Sequence, residues 1–270
     1  MCVYALSAKE MHNSKTGERN GKAMRVFQLR FRPANGELSP HMQKLLARFR
    51  LQLVRNGLII EGAWHSYIEN GELVWNVVAQ DDGAIDEGNM TYDTRQALSE
   101  LIKWCDGLPQ VLPMQECVEL PHCTCTKPDT YVLQSPAEWA GTPVRCLDCG
   151  GSVPLYRLIR DREQREFDDL LHWRKLRRGF LEQIGEKLNT GYAYGMLNDC
   201  RSGLSQEGRR LASAIQKWTG VVTVYPVFSR FEEPPRRCPG CGGDWRNPYT
   251  GAIPYKYFCR QCRLVLTDEV

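Results

Sequence analysis

The sequence predicts an α+β protein: an N-terminal ferredoxin-like (split βαβ) domain, a central zinc-ribbon unit, a helical segment and a C-terminal zinc ribbon. Three observations carry this prediction. Residues 24–120 alternate period-two and period-3.6 apolar patterns in the order strand, helix, strand, strand, helix, strand, which is the split βαβ order. Eight of the twelve cysteines fall into two groups with metal-ligand spacing. A long stretch of helical periodicity separates the two groups.

Residues 1–23 have a short apolar start and no small-residue cleavage site, so they read as a flexible lead-in rather than a secretory signal. MRVFQLRFRP (24–33) alternates apolar and polar residues, the pattern of a half-buried strand. Ser39-Pro40 opens a helix, with Ser as N-cap and Pro at the first helical position. Its apolar residues Met42, Leu45, Leu46, Phe49 and Leu53 share one side, and Asn56-Gly57 stops it. IIEGAWHSYIE and ELVWNVVAQ read as two strands joined at Asn70-Gly71, a dipeptide suited to a tight hairpin turn. A second helix is expected from Asp93 to Cys105, then a strand near Gln115–Leu120. Residues 121–156 form the central cysteine-rich unit.

Residues 157–233 open on a helix expected over 161–188, which NTGYAYG should break. Ser205 is then expected to cap a helix carrying Leu211, Ile215 and Trp218, followed by a strand over 221–228. Pro234-Pro235 marks the start of the last unit, 234–270.

Composition narrows the class. The chain of 270 residues is 42% hydrophobic and 25% charged with a net charge of +3. No apolar run approaches the roughly 20 residues of a membrane span, so no membrane association is expected. The expected compartment is the cytoplasm, where disulfides are rare and the cysteines need another role. Among the units after the lead-in only 234–270 leans clearly basic, with 6 Lys+Arg against 3 Asp+Glu. There is no phosphate loop, dinucleotide glycine fingerprint or nucleophile elbow, and no small-molecule substrate is evident. The carboxylate pairs Asp81-Asp82 and Asp168-Asp169 read as solvated faces.

The C-terminal set is Cys238-Pro-Gly-Cys241, then Cys259-Arg-Gln-Cys262. Two residues between cysteines let a tight turn aim both sulfurs at one ion, and an opposed turn completes a tetrahedron. The central set is His122-Cys123-Thr-Cys125, then Cys146-Leu-Asp-Cys149. Its first half is irregular, so either Cys123 or His122 could pair with Cys125. Thiolate is the softer ligand and favours Cys123. Four soft ligands close the coordination shell, so both sites are expected to hold structural zinc and neither to catalyse.

Here the chain resembles a bacterial family of uncharacterised zinc-ribbon-containing proteins that carry a nucleic-acid-binding label. The likeness rests on Val144-Arg-Cys146-Leu-Asp-Cys149 with Val153-Pro-Leu-Tyr-Arg157, Cys238-Pro-Gly-Cys241-Gly-Gly-Asp-Trp245, and Cys259-Arg-Gln-Cys262-Arg-Leu-Val265. The family is similar in its one-residue gap at Cys123-Thr-Cys125, which implies the two-cysteine choice. The resemblance implies two functions of different kinds. Members encoded beside polymorphic toxin genes would be immunity proteins that bind a protein partner, and the near-balanced charge fits a protein partner. The label implies nucleic-acid binding, which would use Arg236, Arg237, Arg246, Lys256, Arg260 and Arg263 on phosphates. Trp245, Tyr249, Tyr255, Tyr257 and Phe258 would stack on bases, and Arg174, Lys175, Arg177 and Arg178 would extend the path.

Overall fold

The alternation in KAMRVFQLRF makes a strand, β1 (Lys22–Phe31), that turns Phe27, Leu29 and Phe31 to one side, where all three are buried. It belongs to a computed structural model that describes residues 22–62, 64–134, 142–158, 167–228, 234–247 and 253–267. Most of the lead-in, residues 1–21, therefore lies outside the described residues, while Lys22 and Ala23 already belong to β1.

Helix α1 (Pro40–Arg55) starts where the sequence predicts: the Ser39 hydroxyl accepts from the Met42 amide at 3.1 Å. It ends at Asn56, and Gly57 turns the chain with a φ of +67°. Strands β2 (Trp64–Glu69) and β3 (Glu72–Ala79) form the Asn70-Gly71 hairpin, with φ of 51° and 78° at the two turn residues. Helix α2 (Tyr92–Ile102) and strand β4 (Gln110–His122) complete the first lobe. Its strands lie in the order β2-β3-β1-β4, and every neighbouring pair is antiparallel. Both helices pack on the face made by Phe27, Leu29, Phe31, Trp75 and Val77, through Leu46, Phe49 and Leu53 of α1 and Leu98 and Leu101 of α2. The other face is polar: Gln28 donates to Tyr67 and Asn76, and Arg30 pairs with Glu69 and Glu72.

The second lobe begins with β5 (Thr130–Leu133) and β6 (Val144–Cys146). It continues through α3 (Asp168–Gly185), α4 (Thr190–Asn198), α5 (Gly203–Thr219) and β7 (Val222–Phe228). It closes with β8 (Phe258–Cys259) and β9 (Leu264–Thr267). One sheet of order β6-β5-β7-β9-β8 runs through it, with β5, β7 and β9 parallel. The central unit, the helical segment and the last ribbon thus share one sheet. They share one core as well, which includes Leu133, Trp173, Leu211, Ile215, Tyr225, Trp245 and Leu264. Units of under about 40 residues cannot bury enough apolar surface alone, and joining a sheet supplies the missing burial.

Two sequence expectations are corrected. The helix does break near NTGYAYG (189–195), between α3 and α4, but only Asn189 of that stretch lies outside a helix: the rest belongs to α4, whose Ala193 and Leu197 are buried. The connection between α3 and α4 carries left-handed backbones at Lys187 and at Asn189, with φ of 58° and 46°. The cap of α5 is Ser202, whose hydroxyl accepts from the Ser205 amide at 3.1 Å, and Ser205 is a fully buried residue of the first turn. Gly203 at the first helical position hid that start, because glycine is a poor helix former. Residues 159–166, part of the expected first helix, lie outside the described residues. Among the described residues no helix is long and apolar enough to cross a membrane.

Candidate metal centres

Strand β4 delivers Cys123 to the junction of the two lobes, and the turn after β6 presents Cys146 and Cys149 to it. The sulfurs of Cys123, Cys125, Cys146 and Cys149 all lie within 4.8 Å of one another. At the far end of the second sheet, Cys238, Cys241, Cys259 and Cys262 form a second such group. Sulfurs held tetrahedrally at about 2.3 Å from one ion stand roughly 3.8 Å apart. The separations found are 4.0 Å for Cys125–Cys146 and 3.6 Å for Cys241–Cys259. Each cluster thus has the sulfur arrangement of a site for one metal ion. His122 is buried, but it is not a member of the central group, so the arrangement brings together the two cysteines and not the histidine alternative.

Backbone amides aim at the sulfurs, as a thiolate site requires. Gly151 N–H donates to Cys149 Sγ at 3.4 Å, Gly240 N–H to Cys238 Sγ at 3.3 Å, and Cys262 N–H to Cys259 Sγ at 3.3 Å. The shared hydrogen bond with Cys123 pulls the Cys146 thiol down to about 6, while that bond and burial push Cys123 up. The backbone of Gly243, and then Cys259, pull Cys241 down to about 7.

The central cluster is tied into both lobes. Cys123 N–H donates to the Ser152 carbonyl at 2.7 Å, and the Cys123 carbonyl accepts from Arg157. The same Arg157 pairs at 3.0 Å with Asp81, which follows β3, and Tyr156 also donates to Asp81. Asp81 is only 8% exposed, so half of the pair read as a solvated face is instead the pin between the lobes. Asp168 likewise pairs with Arg55 of α1. Only the long-range partners, Tyr156 and Arg157, distinguish Asp81 from a surface carboxylate, and nothing local in the sequence signals them.

Residues named for nucleic-acid contact scatter. Trp245 is 1% exposed and its indole N–H donates to the Pro235 carbonyl at 2.9 Å, so it packs the core and cannot stack on a base. Tyr257 lies against Trp245, with ring centroids 5.3 Å apart, while Tyr255 and Phe258 pack on Val132, Val224 and Val265. Tyr249 lies outside the described residues. Arg177 is 3% exposed and leaves the basic path that was to include Arg174, Lys175 and Arg178. Arg236, Arg237, Arg246, Lys256 and Arg260 are exposed, whereas Arg263 is half-buried. A ribbon this small has few side chains from which to build a core, and its aromatics are the largest of them.

The lobes and clusters define a mixed α+β protein with two tetracysteine centres. Residues 125–228 match the model of a domain of unknown function (DUF2310), and residues 229–267 match a second domain of unknown function (DUF8594). An uncharacterized protein of Haemophilus influenzae is 28% identical over 147 residues, 52% of this chain and 71% of the relative. Another uncharacterized protein of that organism is 28% identical over 131 residues, 46% of this chain, and the match spans 49% of the relative's length. No solved structure matches.

Proposed function

We infer that each cluster holds one structural zinc ion and that the protein is a non-enzymatic, cytoplasmic binding protein whose partner is another protein. The immunity reading, neutralisation of a toxin, is the specific form of that proposal. Four thiolates fill a tetrahedral shell and leave no open position for substrate, which supports a structural role. The observation that carries the choice of partner is the burial of Trp245, with Tyr255, Tyr257 and Phe258 partly buried against the core, which reduces the stacking surface that a single-stranded nucleic acid would use. The N-terminal strand order β2-β3-β1-β4, with both helices on one face, supports the ferredoxin-like reading of that lobe.

Nucleic-acid binding is the second reading, favoured by the exposed Arg236, Arg237, Arg246, Lys256 and Arg260. Salt separates the two. Binding through phosphates loses about 0.9 log units of affinity per contact for each tenfold rise in salt on duplex DNA. The expected result is weak duplex retention that vanishes near physiological salt, together with co-purification with the product of an adjacent toxin gene. Tight duplex binding at that salt with a steep slope would select the second reading. Elemental analysis of untagged protein purified without added metal is expected to return two zinc ions per chain. A value near one would remove the central site.

A further inference from the structure

The residue after the second cysteine takes a left-handed backbone in all three Cys-x-x-Cys turns of this chain. It is Gly150 with φ +72° after Cys149, and Gly242 with φ +73° after Cys241. After Cys262 it is Arg263, with φ 55°. The conformation is imposed there by the chain: the Arg263 carbonyl accepts from the Tyr225 amide at 2.8 Å, and Leu264 immediately enters β9. Glycine adopts such a backbone freely, whereas an arginine is held there at a cost. Strain retained at one of three equivalent turns points to work done by the side chain.

The Arg263 side chain lines an open cavity of about 450 Å³ between α5 and the last turn. Arg209 and Arg210 face it from α5, with Gln206, Gln261 and Ser213 around them. The charge of Arg210 is engaged by Glu207 and Asp169 at 2.6 and 2.7 Å, which holds it on the rim. Neither Arg209 nor Arg263 has an acidic partner among the described residues. Two uncompensated guanidinium groups with neutral amide and hydroxyl donors in one concavity are the chemistry of oxyanion recognition. The volume accommodates a phosphoryl group with a small substituent.

We propose that the cavity formed by Arg209, Arg263 and their amide neighbours is a binding site for a phosphoryl group. A free phosphorylated small molecule and the backbone of a nucleic acid both present that group. The site stands independently of the protein partner inferred above.

The test is calorimetric titration of the full-length, zinc-loaded protein with inorganic pyrophosphate, repeated with a short single-stranded oligonucleotide. Arg263→Gly is the informative variant, because glycine is what the two sister turns use. It is expected to keep both zinc ions and an equal or higher melting temperature while weakening pyrophosphate binding about tenfold or more. Arg209→Ala is expected to weaken it to a similar degree. If the natural ligand is a small phosphorylated compound, the oligonucleotide neither binds the cavity nor competes with pyrophosphate. If it is a nucleic-acid backbone, the oligonucleotide competes and loses affinity in the same two variants. Pyrophosphate binding that is absent in the unmodified protein, or unchanged in both variants, would overturn the proposal.

Discussion

At the C-terminal cluster both pairs of sulfurs come from Cys-x-x-Cys turns, and the site stands near the surface, with Cys241 exposed and Cys262 half-buried. At the central cluster only 146–149 is such a turn, and Cys123 and Cys146 are 2% and 0% exposed. The sulfur geometry is closely similar in the two places. At the C-terminus, local turn geometry is enough to produce it. At the centre, Cys123 is set by β4, by its amide bond to Ser152, and by Arg157 held on Asp81. The difference shows that an irregular ligand spacing can be completed by tertiary contacts, and that the site then becomes part of what joins the lobes.

The comparison breaks most visibly if either metal is lost. Cys146→Ser is expected to release the central ion and lower stability by more than about 4 kcal/mol, since the site's binding energy supports folding at the lobe junction. Cys238→Ser is expected to release only the C-terminal ion and to leave the N-terminal lobe's denaturant transition where it was. Equal losses in both variants, measured by denaturation beside metal analysis, would mean that the central site is no more a junction than the other.

A smaller effect tests the pin. Asp81→Ala removes the carboxylate from Arg157 and Tyr156, and is expected to cost about 2 kcal/mol, moderated because the Arg157 side chain is 34% exposed. Loss of this orienting contact should also weaken metal at the central site about tenfold in a chelator competition, with the C-terminal site unaffected.

Glycines give the next contrast. A Cβ at Gly151 would stand 2.7 Å from the Cys123 amide nitrogen and 2.7 Å from the His122 carbonyl carbon, backbone atoms that cannot give way. Gly151→Ala is expected to cost about 2 kcal/mol. At Gly242 there is open space and only the φ of +73° to oppose, so Gly242→Ala should cost about 1 kcal/mol by thermal denaturation. The smallest expected change is in metal content after His122→Ala, which should keep both ions, whereas Cys123→Ser should lose one. The reverse pattern would restore the histidine alternative.

Local signals read well. The Ser39-Pro40 start of α1, the Asn70-Gly71 hairpin and the strand ending at Phe228 all sit where short-range chemistry places them. The C-terminal cysteines are equally legible, because a Cys-x-x-Cys turn needs nothing beyond its own few residues. Weaker local signals misled: Gly191 and Gly195 in α4 look like turn residues, yet packing of Ala193 and Leu197 overrides their low helix propensity.

What the sequence determined by itself was the order of elements in the first lobe, the two cysteine sets and the polar or apolar faces of the strands it marked, all of which depend on spacing along the chain. Only the tertiary structure decided that β5, β7 and β9 lie parallel in one sheet, since parallel pairing joins residues far apart in sequence and leaves no mark at either one. It also decided that Trp245 is core rather than surface, that Asp81 is a pin rather than a solvated charge, and that Cys123 rather than His122 faces the other three sulfurs. In each case the residue's role is fixed by a partner from a distant segment, and burial, not spacing, selects it.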